Sequence, residues 1–261
     1  MKKTIFILAT FFCTFSAANA ATPAWLATVF TSQTDPQPYA VGDQLYVHAR
    51  SGLVLRKTPS KEGQKIANVP YNGQPVRVLA LPDPANRYVA ERIGEFELSG
   101  GWVKVRTSAG QEGYLFDGYL MPFAPRIESS EEGFYEAEWF YPSTFAGGRV
   151  ELPLSAEEGL IEHFKRVYKD GAEFEQQGFH GGISQFLYLP KGKFSLQQAL
   201  VLGRILFCTT MDNKGNMVPM KTKNTYDAAQ QLITLQNTDG YEQLTIQSKD
   251  GRIVLSFSSA D

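Results

Sequence analysis

Residues 46–120 alternate short runs of apolar and polar side chains with turns rich in Gly, Pro, Ser and Asn. In the runs that begin at Leu53, Val76 and Val103, every second side chain can face one buried side of a strand. Short alternating strands separated by turn residues are typical of a small antiparallel barrel. The pattern therefore predicts a barrel whose core contains no catalytic residue.

The order of these segments resembles that of the bacterial SH3-like (SH3b) domain family. The opening segment ARSGLVLRKTPS begins at Ala49, GQPVRV begins at Gly73, and the closing segments GWVKV and GYLFDGYL begin at Gly101 and Gly113. The resemblance is specific because several segments occur in the family's order. It covers residues 45–122 and implies an SH3-like barrel with a binding or scaffolding role.

Two features depart from the family's pattern. Val54 stands where the family usually has Asn, and residues 82–100 form an insertion where family members commonly have a tight turn. The insertion places apolar residues such as Tyr88 and Phe96 among charged ones. We expect it to form an extended hairpin that folds over the barrel, as long functional loops often do.

The first 20 residues, MKKTIFILATFFCTFSAANA, have the pattern of a cleavable secretory signal peptide. Two lysines precede a short apolar core, and small residues lead to an expected cleavage before Ala21. Residues 21–44 are expected to form a leader or linker. No later segment has the length and apolar character of a membrane span, so the sequence predicts a periplasmic or secreted protein without a membrane span.

Residues 126–261 are expected to form an α+β domain whose family the sequence does not identify. A capping box from Ser155 to Glu158 and apolar residues at helical spacing predict a helix from about Ala156 to Lys169. Ser195 and Gln198 form a second capping box, which predicts another helix. That second helix is apolar on most sides, so we expect it to be buried.

The rest of this domain reads mainly as strands. The segment ISQFLYLP predicts a strand, and the C-terminal residues predict a hairpin that turns at Asp250 and Gly251. The segment from Tyr226 to Asn237 suits either a helix or a strand. The predicted fold is therefore mainly β plus α+β: an SH3-like small antiparallel barrel followed by a C-terminal domain with two or three helices against an antiparallel sheet.

Charge and cysteine content narrow the classes of function. The net charge of −2 gives no basic surface for nucleic acid, so no nucleic-acid partner is expected. After removal of the signal peptide Cys208 is the remaining cysteine, so no internal disulfide is expected. Stability in an oxidising compartment must then come from packing.

A Cys/His hydrolase is the first catalytic hypothesis, because SH3b modules are often fused to cell-wall peptidases. Those enzymes carry the cysteine in a polar turn at a helix start, and the histidine follows it in sequence. Here Cys208 ends an apolar segment and the candidate His180 precedes it, so a buried thiol is the favoured interpretation. His180 lies in the glycine-rich turn GFHGG, where both a turn role and a functional role are open.

Other chemistry has weaker support. The spacing of His48, His163 and His180 fits no zinc motif, and the Gly-rich segments lack the context of a phosphate loop. Acidic pairs such as Glu136 and Glu138 lie in runs that read as solvated, so they do not indicate a glycosidase. No catalytic residue, metal site or cofactor is predicted.

Aromatic residues are the candidate binding residues, because SH3-like barrels present aromatic side chains on a groove between loops. The resemblance selects four of them, and the insertion adds Tyr88 and Phe96. For Trp102 and Tyr119 the alternative is a role in barrel packing. The six candidates are Tyr71, Trp102, Tyr114, Tyr119, Tyr88 and Phe96.

The sequence therefore predicts a secreted or periplasmic, non-enzymatic binding or scaffolding protein. Its barrel is expected to recognise a cell-wall peptide, that is a part of peptidoglycan, or an envelope protein. One alternative is a cell-wall hydrolase or a hydrolase accessory factor with its site in the C-terminal domain. Another is an inhibitor or immunity protein that engages an envelope enzyme through the acidic, aromatic segment from Glu128 to Phe145.

Overall fold

The alternating runs of the first half form a seven-stranded antiparallel sheet and a separate two-stranded hairpin in the computed structural model. The sheet order is β3-β2-β8-β7-β4-β1-β9, and β5 pairs with β6. The strands are β1 (Gln44–Val47), β2 (Leu53–Arg56), β3 (Lys65–Val69), β4 (Pro75–Ala80), β5 (Tyr88–Ile93), β6 (Phe96–Gly100), β7 (Trp102–Thr107), β8 (Glu112–Phe116) and β9 (Leu120–Met121).

The structure describes residues 39–125, 141–144, 146–154, 159–211 and 217–260. The predicted signal peptide lies outside these residues, as does most of the predicted leader. Most of the acidic, aromatic segment from Glu128 to Phe145 lies outside them too.

The interior of the barrel is an apolar cluster built from alternate strand positions. Val103 and Val105 of β7 and Leu115 of β8 point into it, while their sequence neighbours point outward. Buried apolar residues of β1, β2 and β4 complete the cluster. The predicted fold class is confirmed for both halves of the chain.

The second half forms an eight-stranded antiparallel sheet, in the order β10-β11-β12-β13-β19-β18-β17-β16, and a two-stranded sheet of β14 and β15. Among the described residues of this half, one α-helix, α1 (Leu196–Phe207), interrupts the strand sequence. The strands are β10 (Val150–Glu151), β11 (Leu160–Val167), β12 (Glu173–Phe179), β13 (Gly182–Tyr188), β14 (Thr209–Met211), β15 (Met217–Pro219), β16 (Thr222–Asp227), β17 (Leu232–Asn237), β18 (Glu242–Lys249) and β19 (Arg252–Ala260).

The helix expected from about Ala156 to Lys169 is wrong, because β11 occupies residues 160–167. The buried residues of this segment, Leu160, Phe164 and Tyr168, are four positions apart. A spacing of four places side chains on one face of a helix and also on one face of a strand, so the pattern did not separate the two. The capping box at Ser155 lies outside the described residues, which contain one α-helix where two or three were predicted.

Helix α1 and the C-terminal strands confirm the other predictions for this half. The Ser195 hydroxyl accepts a hydrogen bond from the Gln198 backbone at 3.1 Å, and the Gln198 side chain accepts one from the Ser195 backbone at 3.0 Å. The strand β13 contains residues 183–188 of the predicted segment ISQFLYLP, which ends two residues later at Pro190. The hairpin of β18 and β19 turns at Asp250 and Gly251, which have φ angles of 54° and 73°. The segment from Tyr226 to Asn237, which suited either a helix or a strand, contains the end of β16, a turn and all of β17.

The outer surface of the barrel and the C-terminal sheet share a second apolar core, and the described residues all belong to one compact unit. Outward-facing side chains of β7 and β8, including Trp102 and Phe116, belong to this core together with helix α1 and the inner face of the sheet. The predicted hairpin of β5 and β6 is confirmed, and it contributes Phe96 and Leu98 to the same core. The boundary expected between residues 122 and 126 stays a prediction.

Gly203 allows helix α1 to lie close to the sheet. A Cβ atom at this position would lie 2.9 Å from Leu244 Cδ2, 3.0 Å from Leu255 Cδ2 and 3.3 Å from Ile246 Cδ1. Such contacts are tighter than normal packing allows, so the helix and the sheet depend on the absence of a side chain here.

We expect Gly203→Val to lower the free energy of unfolding by about 2 kcal/mol, because a larger side chain forces the helix away from the sheet. Urea-induced unfolding followed by circular dichroism measures this change. Gly147→Val is the matched control, because a Cβ atom at Gly147 meets nothing within 4 Å. Equal stability of the Gly203→Val variant and the wild type would contradict the close packing.

Candidate functional site

Three of the predicted binding residues lie together on the outer surface of the barrel, around Phe116. The ring centre of Phe116 lies 5.5 Å from that of Tyr88, 6.0 Å from that of Trp102 and 5.8 Å from that of Tyr119. Tyr88 also contacts Trp102 at 6.1 Å between ring centres. The insertion therefore folds over the barrel as predicted, and its Tyr88 covers Trp102.

The other three predicted residues lie apart from this group. Tyr71 is partly buried, and its ring centre lies 6.2 Å from that of His48. Tyr114 of β8 is partly buried and lies opposite Lys104 in the sheet. Phe96 is 2% exposed and packs against Tyr226, with 5.4 Å between the ring centres.

Burial limits what these aromatic residues offer to a ligand. Trp102 is 7% exposed, and together with Phe96 it forms part of the shared core. Trp102 therefore lies in a packed position, which is the alternative to a binding role given for it from the sequence. Partly exposed candidates such as Tyr71, Tyr88, Tyr114 and Tyr119 keep a surface for contact, and a binding role for all six residues stays a prediction.

A cleft of about 670 Å³ lies between the barrel and the C-terminal half. The loop between β1 and β2 and the first residue of β2 supply one wall through residues 49–53, and Tyr119 lies beside it. The end of helix α1 supplies the other wall through Arg204, Ile205 and Cys208, followed by residues after β15 such as Met220. Tyr119 is the residue that the sequence-based list and this cleft share.

Tyr119 is held at the cleft by the short 3₁₀ turn Asp117–Tyr119, which a buried carboxylate stabilises. Asp117 accepts hydrogen bonds from the Gly101 backbone at 2.7 Å and from the Tyr39 hydroxyl at 2.7 Å. Burial raises the pKa of Asp117, and these hydrogen bonds partly offset the increase. The position of Tyr119 thus depends on a hydrogen-bonded carboxylate inside the barrel end.

Arg204 on helix α1 forms a bidentate ion pair with Glu91 of β5. Its Nη1 and Nη2 atoms each lie 2.6 Å from a different oxygen of Glu91. Hydrogen bonding to Arg204 holds the pKa of Glu91 below its usual value, so the carboxylate is ionised at neutral pH. The pair connects the insertion to the helix and neutralises much of the charge of Arg204.

Arg50 connects the barrel loop to the end of the same helix. Its Nη2 atom donates a hydrogen bond of 2.9 Å to the backbone carbonyl of Ile205. Carbonyls in the last turn of a helix lack partners within the helix, and a cation near them is favourable. Arg50 therefore fixes one edge of the cleft and brings a positive charge to it.

Cys208 lies in the cleft wall, but its thiol is not prepared for nucleophilic attack. The residue is buried, and burial raises the pKa of the thiol to about 12. The thiolate is the nucleophilic form, and it is scarce at neutral pH when the pKa is this high. The favoured sequence interpretation of Cys208 as a small buried thiol agrees with this environment.

The histidines occupy separate parts of the fold. His180 is exposed in the turn between β12 and β13. His163 lies on β11, where its Nε2 atom is 2.9 Å from Glu175 Oε1. His48 is buried at the barrel end, and its Nε2–H donates to the Phe123 carbonyl at 2.9 Å. Within the described ranges no group of three His, Cys, Asp or Glu residues is placed to hold a metal ion.

Two residues of the cleft, Arg50 and Arg204, were not selected from the sequence. Arg204 did carry a signal, because it is the one charged residue in the apolar segment LQQALVLGRILF. A charged side chain in a buried helix is expected to have a partner or a function. Arg50 carried no comparable signal, because its role depends on how the barrel meets the helix.

The geometry defines a small β-barrel joined through a cleft to a helix and sheet, and comparison with known families identifies the barrel. Residues 51–121 match the bacterial SH3 domain family, which confirms the resemblance found in the sequence. A bacterial SH3 domain indicates a protein associated with the cell wall. No curated protein and no solved structure matches the chain.

In the part of the chain that the structure describes, no helix is both long and apolar enough to cross a bilayer.

We expect Trp102→Ala to lower the free energy of unfolding by about 3 kcal/mol, because it removes a large side chain from the shared core. Urea-induced unfolding measures the change, and Trp102→Phe should lose less because part of the ring volume stays. An alanine variant as stable as the wild type would contradict the buried position of Trp102.

We also expect His48 to make stability depend on pH. Burial lowers its pKa to about 4, whereas an unfolded histidine titrates near 6.5. Between these values the unfolded state binds the extra proton, so stability falls as the pH decreases from about 6.5 to 4. The full effect is about 3 kcal/mol.

His48→Gln is the test, because glutamine keeps a side-chain N–H donor for the Phe123 carbonyl and does not titrate. The free energy of unfolding is measured in urea at several pH values from 7 to 4. The wild type should lose more stability than the variant over this range. Parallel pH profiles of the two proteins would contradict the buried, neutral His48.

Proposed function

We propose that this chain is a non-enzymatic binding protein of the cell envelope, periplasmic or secreted, that recognises a cell-wall peptide in the cleft between its SH3 barrel and helix α1. The bacterial SH3 match supports association with the cell wall. The cleft is the observation that supports recognition at this place, because residues from both halves of the chain form its walls.

The dimensions and composition of the cleft suit a short peptide. Its volume of about 670 Å³ lies within the range of small-ligand sites. Leu53, Ile205 and Met220 provide apolar surface, while Ser51 and Tyr119 provide hydroxyl groups. An extended peptide offers both backbone polar groups and small side chains, so this mixture supports peptide binding.

The walls of the cleft are fixed before any ligand arrives. Arg50 ties the barrel loop to the helix end, and the ion pair of Arg204 with Glu91 ties the helix to the insertion. Preorganised walls lower the entropic cost of binding. This arrangement supports recognition in the cleft rather than on the aromatic outer surface, where Trp102 is already covered.

The alternatives receive less support. A hydrolase that uses Cys208 would need a thiolate, and burial opposes its formation. The inhibitor hypothesis concerns a segment that lies mostly outside the described residues. Its Tyr141 is buried beside Tyr168 and donates a hydrogen bond to Asp170 at 2.7 Å, which favours a structural role for that residue.

The test is retention of the chain on purified peptidoglycan sacculi. Ser51→Trp places a large ring in the cleft from an exposed position on the β1–β2 loop. We expect this variant to lose at least about tenfold in affinity, because the ring occupies the volume that the peptide needs. A co-sedimentation assay over a range of sacculus concentrations measures the affinity.

Ser108→Trp is the matched control, because Ser108 is an exposed serine in the β7–β8 turn and does not line the cleft. It should bind sacculi like the wild type, and both variants should show the wild-type circular dichroism spectrum. Failure of the wild type to bind sacculi would contradict cell-wall recognition. Equal binding by Ser51→Trp would contradict the cleft as its site.

A further inference from the structure

We infer that the outer face of the C-terminal sheet binds an extended, uncharged, β-1,4-linked glycan chain, with Phe186 and Tyr188 as the stacking residues. The outer face is the side of the sheet opposite helix α1. This inference goes beyond the proposed function, because it assigns a second site whose residues do not line the cleft.

Strand pairing distinguishes the two faces of the sheet. Residues paired across strands lie on the same face, and successive residues along a strand alternate between faces. Leu255 and Ile246 are paired and lie against Gly203 of helix α1, so they mark the inner face. Phe186 pairs with Ser256, the neighbour of Leu255, and therefore lies on the outer face.

Phe186 and Tyr188 form an aromatic pair on this outer face, because they are two positions apart on β13. Both are partly exposed, and both lie outside the two apolar cores of the described residues. Their ring centres are 6.5 Å apart, and their ring planes differ by 24°. The solvent side of an antiparallel sheet normally carries polar residues, so adjacent exposed rings indicate a contact surface.

Contacts with neighbouring side chains hold Tyr188 in position. The guanidinium carbon of Arg252 lies 5.3 Å from its ring centre, and its hydroxyl donates a hydrogen bond to Glu175. Arg252 is itself anchored by hydrogen bonds of 2.8 Å to Glu173 and 3.1 Å to the Leu189 carbonyl. A ring that is already held loses little freedom when a ligand binds.

The outer face beside the aromatic pair carries uncharged hydroxyl and amide side chains. Strand pairing arranges them in two rows across β13, β19, β18 and β17. One row is Phe186, Ser256, Thr245 and Thr234, and the other is Ser184, Ser258, Gln243 and Gln236. Among the described residues of these four strands, the charged side chains on the outer face are Lys249 and Arg252, which flank the hairpin turn.

The carboxylates of the adjacent strand β12 have cationic or hydrogen-bonding partners. Glu173 forms ion pairs with Lys165 and Arg252. Glu175 Oε1 lies 2.9 Å from His163 Nε2. Charge at this edge of the two rows is therefore largely balanced, and the face has no strong field to attract a charged polymer.

This chemistry fits an uncharged glycan. Aromatic rings stack on the C–H faces of sugar rings, and hydroxyl and amide side chains exchange hydrogen bonds with sugar hydroxyls. Adjacent strands lie about 4.8 Å apart, so four strands give rows about 14 Å long, which suits several linked sugars. A β-1,4-linked chain is extended enough to follow such a row, whereas an α-1,4-linked chain coils.

The experiment is isothermal titration calorimetry with residues 21–261, the chain without its predicted signal peptide. The probes are chitohexaose and cellohexaose, which are β-1,4-linked, and maltohexaose, which is α-1,4-linked. We expect at least one β-linked probe to bind about tenfold more tightly than maltohexaose, with an affinity that does not change with salt. The stronger of the two shows whether N-acetyl groups contribute.

Phe186→Thr should weaken binding of that probe about tenfold, because it removes one stacked ring. Phe186→Tyr keeps the ring and should bind within about twofold of the wild type. Tyr241→Thr is the matched control, because Tyr241 is 62% exposed in the turn between β17 and β18 and lies outside the two rows. Circular dichroism and thermal unfolding confirm that each variant is folded.

Absence of binding by both β-linked probes, or equal binding of maltohexaose, would overturn the inference. Loss of affinity at high salt would contradict recognition of an uncharged chain. Equal losses in Phe186→Thr and Phe186→Tyr would contradict stacking on the ring.

Ser51→Trp separates this inference from the proposed function. This cleft variant should bind the β-linked probe like the wild type, and loss of that binding would place the glycan in the cleft and overturn the inference. The glycan backbone of peptidoglycan is β-1,4-linked, and two sites on one polymer bind with combined avidity, so blocking the cleft still lowers affinity for sacculi. Retention on sacculi without binding of the β-linked probes would leave the proposed function in place and remove this inference alone.

Discussion

The structure depends on an apolar contact between the outer surface of the barrel and the rest of the chain. Outward positions of β7 and β8 would face water in an isolated barrel, but here Trp102 and Phe116 join a core with helix α1 and the C-terminal sheet. Burial of aromatic side chains contributes strongly to stability, about 2 kcal/mol or more for each large side chain. The barrel and the C-terminal half are therefore parts of one unit, and their relative position is fixed by packing.

This packing determines where the cleft lies. The insertion places Tyr88 against Trp102 and Glu91 against Arg204. Its Tyr88 therefore covers part of the aromatic surface that the family resemblance indicated as a binding site. A cleft lies at the edge of the contact, where the loop with Arg50 meets the end of helix α1. Residues from both halves of the chain therefore form the walls of this cleft.

The sequence predicts the local features well. The barrel strands, the insertion hairpin, the capping box at Ser195 and the turn at Asp250 each follow from patterns within a few residues. The strand β11 was missed because its buried residues are spaced by four, which fits a helix as well. The cleft was missed for a different reason: Arg50 and Ile205 are far apart in sequence, and only tertiary packing brings them together. Arg204 is the exception, since its charge within an apolar helix was visible in the sequence.

The shared core is tested most directly by native-state hydrogen exchange in increasing urea. If the barrel and helix α1 belong to one cooperative unit, the best-protected amides of β7, β8 and α1 should exchange through one opening with the same free energy and the same urea dependence. Exchange of the barrel amides through a separate opening of lower free energy, while the amides of α1 stay protected, would contradict the account.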